Sequence, residues 1–281
     1  MTFSFRLGLI GHPLGHSLSP KLHAAALAAC GLTGSYSLFP IAPDDIPGLQ
    51  ALLARLRAGE IHGLNVTIPH KQNVIPLLDG LTETARSIGA VNTISLRNGR
   101  LIGDNTDAPG FMADLSNFLD TSLLTTRHSS LVLGAGGSAR AVGYALANSG
   151  WQVTIAARRP EQAKTLAEAL QAACSQIEGI ALNAVAGWRA DLLVNTTPLG
   201  MTPAVDTSPW PEGIPFPAGA AVYDLVYNPR ETRLVREARA AGRPATTGLG
   251  MLIEQAALAF EIWTGCQPPR EILWQTIDDR P

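Results

Sequence analysis

Hydroxyl, amide and charged side chains are concentrated in four short segments within the first 107 residues of the chain. These segments are residues 11–20, 65–71, 89–93 and 103–107. Side chains of this kind both donate and accept hydrogen bonds, which suits a polyhydroxylated ligand. Lys71 and Asp107 add an ammonium group and a carboxylate that can take part in proton transfer. The segments therefore predict a site for a small polar molecule, with acid–base chemistry.

A glycine-rich segment marks a second candidate site. It reads Gly134, Ala135, Gly136, Gly137, Ser138 and Ala139. The segment matches G-x-G-x-x-[G/A], follows the apolar run 131–133 and precedes a helical pattern. Glycine lets the backbone approach a pyrophosphate at the positive end of a helix. The pattern predicts a dinucleotide site, and the alternative is an ordinary tight turn between strand and helix.

The next predicted strand, residues 151–157, is followed by Arg158 and Arg159. NAD sites usually carry an acidic residue at this distance beyond the glycines, where it binds the ribose hydroxyls. A guanidinium group instead suits the 2′-phosphate of NADP. Arg158 therefore favours NADP, and the alternative is a pair of solvated arginines at a strand end.

Composition argues against several classes of protein. The chain has 281 residues, with 21 basic and 23 acidic side chains and a net charge of −2. This balance leaves no basic surface for nucleic acid or an anionic membrane. We find no apolar run long enough to span a bilayer and no signal-peptide pattern. We expect a globular cytoplasmic protein whose partner is a small molecule, with no nucleic acid or membrane partner.

The cysteines and histidines give no metal or disulfide pattern. Cys30, Cys174 and Cys266 are odd in number and widely spaced. We therefore expect the three cysteines to act as small buried hydrophobic residues, and we expect neither a disulfide framework nor a zinc knuckle. The six histidines contain no HExxH pair, so no metal site is expected.

Apolar runs alternate with helical patterns, which predicts parallel βα units. Ser19 is the predicted N-cap of a first helix, with Gly31 as its C-terminal cap. Asn98-Gly99 predicts a tight hairpin. The α/β pattern restarts at residue 131, after a predicted helix at 107–118 and a stretch without periodicity at 119–130. Two domains are therefore expected.

Eight motifs follow one another along the chain in an order that resembles the shikimate dehydrogenase family. The motifs are SxSP, NVTxPxK, GAVNT, GxNTD, GAGGxxR, NxTPxGM, DxxYxP and GxxMLxxQA. They occupy residues 17–20, 65–71, 89–93, 103–107, 134–140, 195–201, 224–229 and 248–256. The resemblance covers the chain from the first predicted strand to the last helices.

The resemblance implies an α/β fold with an N-terminal substrate-binding domain and a Rossmann-type NADP-binding domain, with a cleft between them. On this basis residues 1–106 form the substrate-binding and catalytic domain, completed by the C-terminal helices at 245–281. Residues 107–244 form the NADP-binding domain.

The resemblance also implies roles for individual residues. Lys71 and Asp107 would be the catalytic pair. The residues implied for the substrate are Ser17, Ser19, Asn65, Thr67, Asn92, Tyr227 and Gln255. Those implied on the nicotinamide side of the cofactor are Asn195, Thr196, Met201 and Gly248, in addition to the glycine segment and the two arginines.

The implied activity is the reversible, NADP-dependent reduction of 3-dehydroshikimate to shikimate in the chorismate pathway of aromatic amino-acid biosynthesis. The family includes monomers and homodimers. The sequence departs from the common family pattern at Ala24, Ala157 and Gln162. Two alternatives therefore stay open. One is a paralogue that oxidises quinate or aminoshikimate, and the other is a non-catalytic, ligand-binding sensor with the same fold.

Overall fold

The computed structural model describes residues 3–119, 128–174 and 176–278. The chain divides into two compact units, of which the first comprises Met1–Thr106 and Ile253–Pro281 and the second comprises Asp107–Leu252. The second boundary therefore lies inside a helix. Part of the stretch expected to lack periodicity, at 120–127, lies outside the described residues.

Both units are built on β-sheets. The strands are β1 (Ser4–Gly11), β2 (Thr33–Pro40), β3 (Gly63–Val66), β4 (Gly80–Leu81), β5 (Thr93–Arg97), β6 (Arg100–Asp104), β7 (Ser129–Leu133), β8 (Gln152–Ala157), β9 (Ile177–Ala181), β10 (Leu192–Asn195), β11 (Ala221–Asp224) and β12 (Ala245–Thr247). The helices are α1 (Ser19–Ala29), α2 (Ile46–Arg57), α3 (Glu83–Ile88), α4 (Asp107–Phe118), α5 (Gly137–Asn148), α6 (Pro160–Gln171), α7 (Arg233–Ala240), α8 (Leu249–Thr264) and α9 (Arg270–Asp278).

The first unit has a mixed sheet with the strand order β2-β1-β3-β5-β6-β4. Strand β5 is antiparallel to both of its neighbours, and β1 is parallel to β2 and β3. Because β5 runs opposite to β3, its first residue lies beside the end of β3, and Asn65 is paired with Thr93. Asn98 and Gly99 turn between β5 and β6 with φ of 51° and 75°, which confirms the predicted hairpin.

The helical period of α2 explains the core of this unit. Leu49, Leu52, Leu53 and Leu56 are all buried and lie on one helical face. The helix begins after Asp45, whose carboxylate accepts a hydrogen bond from the Gly48 backbone at 2.9 Å. These leucines pack in one cluster with the inner residues of β1, β3 and β5.

The predicted cap of α1 is wrong. Leu18 occupies the N-cap position without a side-chain hydrogen bond, and the helix begins at Ser19. The Ser19 backbone instead donates to Ser17 Oγ at 3.3 Å. The predicted C-terminal cap of the helix is confirmed, since Gly31 follows α1 with φ of 63°.

The second unit has an all-parallel sheet with the strand order β12-β11-β10-β7-β8-β9. The order reverses beside β7, the strand that leads into the glycine segment. Ligands of open α/β sheets bind at the carboxyl ends of strands at such a reversal. The predicted α/β class, with one Rossmann-type unit, is confirmed. No helix within the described ranges is long and apolar enough to cross a membrane.

The expectation for two of the cysteines is wrong. Cys30 and Cys266 form a disulfide, with their Cα atoms 6.5 Å apart. It joins the end of α1 to the segment between α8 and α9. The two residues are 236 positions apart in the chain, and the packing of α9 against α1 helps to bring them together. Cys174 is buried and free, as expected, and burial raises the pKa of its thiol.

Reduction of this disulfide should destabilise the protein, because the cross-link restricts the unfolded chain. We expect the free energy of unfolding to fall by about 2–5 kcal/mol. Urea unfolding of the wild type with and without a phosphine reductant measures the change. The double variant Cys30→Ser/Cys266→Ser is the matched control and should not respond to the reductant. An unchanged wild-type midpoint would contradict the prediction.

Candidate active site

The polar segments of the first unit meet at one edge of its sheet. Strands β1, β3 and β6 end at this edge, and the antiparallel β5 begins there. The loops after β1 and β3 are in direct contact, since the His12 backbone donates to the Ile68 carbonyl at 2.9 Å. A Cβ atom at Gly11 would lie 2.4 Å from the Thr67 methyl carbon, so this approach requires glycine.

Asn92 connects three of the segments. Its side chain is buried, and Oδ1 accepts from the Thr106 backbone at 2.7 Å. Nδ2 donates to Thr106 Oγ1 at 2.9 Å and to Gln255 Oε1 at 3.5 Å. The backbone carbonyl of Asn92 accepts from Val66 at 2.8 Å. The structure therefore brings Asn92 and Gln255 together, although 163 positions separate them in the chain.

Asn65 is held from both sides of its amide. Nδ2 donates to the Asn92 carbonyl at 3.2 Å and to Thr93 Oγ1 at 3.3 Å. Oδ1 accepts from the phenol of Tyr36 at 2.8 Å. No sequence motif includes Tyr36, which lies outside the four polar segments.

The remaining predicted residues of this unit lie in the loops at the same edge. The Ser19 backbone donates to Ser17 Oγ at 3.3 Å, so the two serines are adjacent. Thr67 is half-buried, and its backbone donates to the Ile10 carbonyl at 2.8 Å. Lys71 is half-buried, and its carbonyl accepts from Val91 at 2.7 Å, which anchors the loop that carries the lysine.

Asp107 is the first residue of α4 and begins the second unit, whereas Lys71 belongs to the first. The Asp107 side chain is buried, with 5% of the residue exposed. The positive end of a helix dipole favours a negative charge at this position.

The glycine segment of the second unit has the local geometry that a pyrophosphate requires. Gly134 follows β7 with φ of 112°, and an added Cβ would lie 2.6 Å from Thr196 Oγ1. Thr196 in turn donates through its backbone and hydroxyl to the Leu133 carbonyl, at 3.0 and 2.7 Å. Gly136 is the N-cap of α5, and an added Cβ there would meet nothing within 4 Å. The helix end is therefore open to an anion.

Arg158 and Arg159 directly follow β8, and both side chains are exposed. Because β8 is parallel to β7, the arginines lie at the same edge of the sheet as the glycine segment. An open helix N-terminus with two cations on the neighbouring strand fits a dinucleotide that carries an extra phosphate. The residues present therefore fit NADP.

The other predicted cofactor residues also lie near strand ends of this sheet. Asn195 ends β10 and is fully buried, whereas Met201 is 45% exposed. Gly248 precedes α8, and an added Cβ would lie 2.4 Å from the Leu225 carbonyl oxygen. Tyr227, predicted for the substrate, is half-buried, and burial raises the pKa of its phenol.

Asp224 is a buried carboxylate that ties these segments together. It accepts hydrogen bonds from Asn195 Nδ2 at 2.7 Å, the Val226 backbone at 3.0 Å and Thr232 Oγ1 at 2.6 Å. Thr232 is the N-cap of α7. Burial raises the pKa of Asp224 to about 6, and the three hydrogen bonds partly oppose this shift. Asp224 begins the DxxYxP motif, but the motif alone did not indicate that this residue holds the neighbouring segments.

Asp224 should make stability depend on pH. Its pKa rises from 3.8 in the unfolded chain to about 6 in the folded protein. The protonated carboxyl therefore contributes its full stabilisation only below the unfolded pKa of 3.8, and this contribution is lost as pH rises through 6. Relative to Asp224→Asn, the wild type should lose about 2 kcal/mol of unfolding free energy between pH 4 and pH 7.

Urea unfolding of both proteins at several pH values measures this difference. Asp44→Asn, which removes an exposed carboxylate, is the control for the loss of a carboxylate at the surface. A difference between Asp224→Asn and the wild type that does not vary with pH would contradict the assignment.

Comparison with known proteins identifies the family. The model of the shikimate dehydrogenase substrate binding domain matches residues 9–94, and the model of the shikimate 5'-dehydrogenase C-terminal domain matches residues 248–277. The chain is 44% identical over 276 residues to a shikimate dehydrogenase (NADP(+)) of Salinibacter ruber, and the match covers 96% of this chain and 95% of that protein.

Solved structures agree with this relationship. A shikimate dehydrogenase crystallised with NADP+ superposes with a TM-score of 0.89 at 36% identity, covering 99% of this chain and 97% of the other. The enzyme of Thermus thermophilus, in complex with NADP(H) and shikimate, gives a TM-score of 0.85 at 39% identity and covers 97% and 98% of the two chains. The chain therefore belongs to the shikimate dehydrogenase family.

Proposed function

We propose that this protein is an NADP-dependent shikimate dehydrogenase. It reduces 3-dehydroshikimate reversibly to shikimate, in the chorismate pathway that supplies aromatic amino acids. The observation that carries the proposal is the network of the buried amides of Asn65 and Asn92 with the half-buried amide of Gln255, which brings three separate motifs to one sheet edge. A relative of nearly full length with the same activity in its name supports it.

The first unit is proposed to hold the substrate. Ser17 and Ser19 lie side by side with hydroxyls suited to a carboxylate, and Tyr227 is proposed as a further ligand of that group. The residues proposed to bind the ring hydroxyls are Asn65, Thr67, Asn92 and Gln255. A dense set of fixed amides and hydroxyls matches a ring that carries several hydroxyl groups.

The second unit is proposed to hold the cofactor. Its glycine segment and the N-terminus of α5 receive the pyrophosphate, and Arg158, assisted by Arg159, binds the 2′-phosphate. The residues proposed to border the nicotinamide are Asn195, Thr196, Met201 and Gly248. NADP⁺, when bound, accepts the hydride that leaves the alcohol carbon of the substrate.

Lys71 and Asp107 are proposed to move the proton. In the oxidation, the Lys71 amine takes the hydroxyl proton as the carbon–oxygen double bond forms, and it then releases the proton to solvent. In the reduction, the Lys71 ammonium returns a proton to the carbonyl oxygen. Asp107 orients the lysine and accepts a hydrogen bond from the neighbouring substrate hydroxyl.

We also propose that the protein works in the cytoplasm, as a monomer or a homodimer. Its balanced charge supports the absence of a nucleic-acid partner. Disulfides are rare in a reducing cytosol. In that compartment we therefore expect Cys30 and Cys266 as thiols, and we expect the disulfide under oxidising conditions.

The proposed function is tested by following NADPH formation with purified protein. Shikimate is compared with quinate and aminoshikimate, and NADP⁺ with NAD⁺. Fast turnover with shikimate and NADP⁺ is the expected result. Preference for another substrate would indicate a paralogue, and ligand binding without turnover would indicate a sensor.

Lys71→Ala should lower kcat by about 10²–10⁴-fold, because it removes the group that moves the proton. The melting temperature should change little, since the Lys71 side chain is half-buried at a loop. The matched control is Lys164→Ala, which removes an exposed lysine from α6 and should keep wild-type turnover. Near-normal turnover of Lys71→Ala would refute the assignment.

Arg158→Ala should raise the KM for NADP⁺ by roughly 10–100-fold, the loss expected for a hydrogen bond between charged groups. The KM for NAD⁺ should stay nearly constant, because NAD⁺ lacks the 2′-phosphate. Arg236→Ala, an exposed arginine on α7, serves as the control. Equal effects on both cofactors would show that Arg158 does not read the phosphate.

A further inference from the structure

Tyr223 of β11 contacts one face of helix α4 at three positions. Its ring packs edge-on against Phe111 and Phe118, with centroid distances of 5.1 and 6.2 Å. Its phenol donates a hydrogen bond to the carboxyl group of Asp114. Tyr223 and Phe111 are fully buried, so these contacts are made away from solvent. One side chain therefore holds the helix through packing and through a hydrogen bond.

Asp107, the carboxylate proposed for proton transfer, lies on the same face of α4. It is the first residue of the helix and precedes Phe111 by one helical turn. Asp114 follows three residues after Phe111, and side chains at this spacing share one face. The contacts of Tyr223 with Phe111 and Asp114 therefore fix the part of the helix directly below Asp107.

The turn of α4 that carries Asp107 has little helical stability of its own. It contains Gly110, and glycine destabilises a helix by about 1 kcal/mol relative to alanine. Gly110 is buried, as is Asp107. Packing from outside the helix must therefore hold this turn in place.

Asp114 has a second contact that fixes its carboxyl group. A Cβ atom at Gly250 would overlap Asp114 Oδ1, so the carboxyl group fills the space beside this glycine. Gly250 lies in the first turn of α8, where the helix dipole favours a negative charge. Asp114 is therefore held from two sides, by the phenol of Tyr223 and by the start of α8.

The phenol of Tyr223 is a donor at neutral pH. Burial and the neighbouring Asp114 raise the pKa of this phenol well above its ordinary value. The phenol therefore keeps its proton, and the hydrogen bond to Asp114 is maintained across the neutral pH range.

We propose that Tyr223 is a positioning residue for Asp107. It holds α4 through Phe111 and Asp114, so that the carboxylate at the start of the helix keeps the orientation that proton transfer requires. The catalytic role of Asp107 rests on the proposed function, whereas the support of α4 rests on the contacts of Tyr223.

Tyr223→Phe tests the proposal, because it removes the hydroxyl and keeps the packed ring. The kcat with shikimate should fall roughly three- to thirty-fold, since misplacing a reacting group by about 1 Å can reduce the rate by about 100-fold. The KM for NADP⁺ should stay within about two-fold of the wild type. The reason is that Tyr223 and Asp224 are successive residues of β11, so the Tyr223 side chain points away from the loops that Asp224 holds.

Tyr144→Phe is the matched control. It removes the hydroxyl of a half-buried tyrosine on α5 of the same unit and should leave kcat and both KM values unchanged. An unchanged kcat in Tyr223→Phe would overturn the proposal. The assays are run well below the melting temperature of each variant, so that every protein is folded.

A double-mutant cycle with Asp107→Asn separates positioning from a merely structural role. If Tyr223 acts through Asp107, Tyr223→Phe should lower kcat by less than about two-fold once the Asp107 carboxylate is gone. The same fold-loss of kcat in both backgrounds would overturn the proposal and leave Tyr223 with a structural role only.

Phe118→Leu provides a second test should Tyr223→Phe fail to fold. Phe118 is half-buried at the end of α4, so the substitution loosens the same contact with less damage to the core. It should lower kcat by a smaller factor, leave the KM for NADP⁺ unchanged and have no effect on kcat in Asp107→Asn. A wild-type kcat in Phe118→Leu would then overturn the proposal.

The wild type alone tests the proposed function, and the variants test Tyr223. If the wild type oxidises only quinate, the choice of shikimate fails, and the same ratios of kcat are measured with quinate. A wild type that turns over no substrate would overturn both proposals. An active wild type with an unchanged kcat in Tyr223→Phe would overturn only the role of Tyr223.

Discussion

The first unit depends on the pairing of its buried amides at one sheet edge. A buried amide without partners destabilises a fold by about 1–3 kcal/mol, so each must find them inside the protein. Asn92 meets this requirement through Thr106 and Gln255, and its carbonyl also serves Asn65. This arrangement is possible because β5 is antiparallel to β3. A parallel β5 would place Asn92 at the opposite edge, away from the end of β3.

The second unit also contains a buried polar group that needs partners, and here the group is the carboxylate of Asp224. Asp224 is fully buried, and its ionisation is opposed by burial and supported by donors from Asn195, Val226 and Thr232. These donors belong to the end of β10, the segment after β11 and the cap of α7. One acceptor therefore fixes three segments near the strand ends, where a parallel sheet binds its ligands. In both units, one buried polar side chain is hydrogen-bonded to several segments at the ends of neighbouring strands. These hydrogen bonds fix the positions of the loops.

The features predicted correctly from the sequence are those that depend on neighbouring residues. The hairpin at Asn98 and Gly99 follows from two positive φ angles, and Gly134 adopts a backbone conformation that few other residues tolerate. The predictions that proved wrong concern features that depend on contacts between segments far apart in the chain. Ser19 had a suitable side chain for a helix cap, but the helix already includes Ser19, whose backbone donates to Ser17 Oγ in the preceding loop. The disulfide likewise needs α9 beside α1, which neither cysteine indicates.

Tyr36 shows why part of the candidate site is invisible to motif analysis. It lies on β2, an edge strand with mostly exposed residues, where sequence patterns are weak. Its position is set by the stack on His23 and by Trp263, which belongs to a helix at the far end of the chain. A site of fixed, buried amides rejects a ligand that leaves those amides unpaired. The selectivity of such a site therefore depends on the packing that fixes its polar groups as well as on the groups themselves.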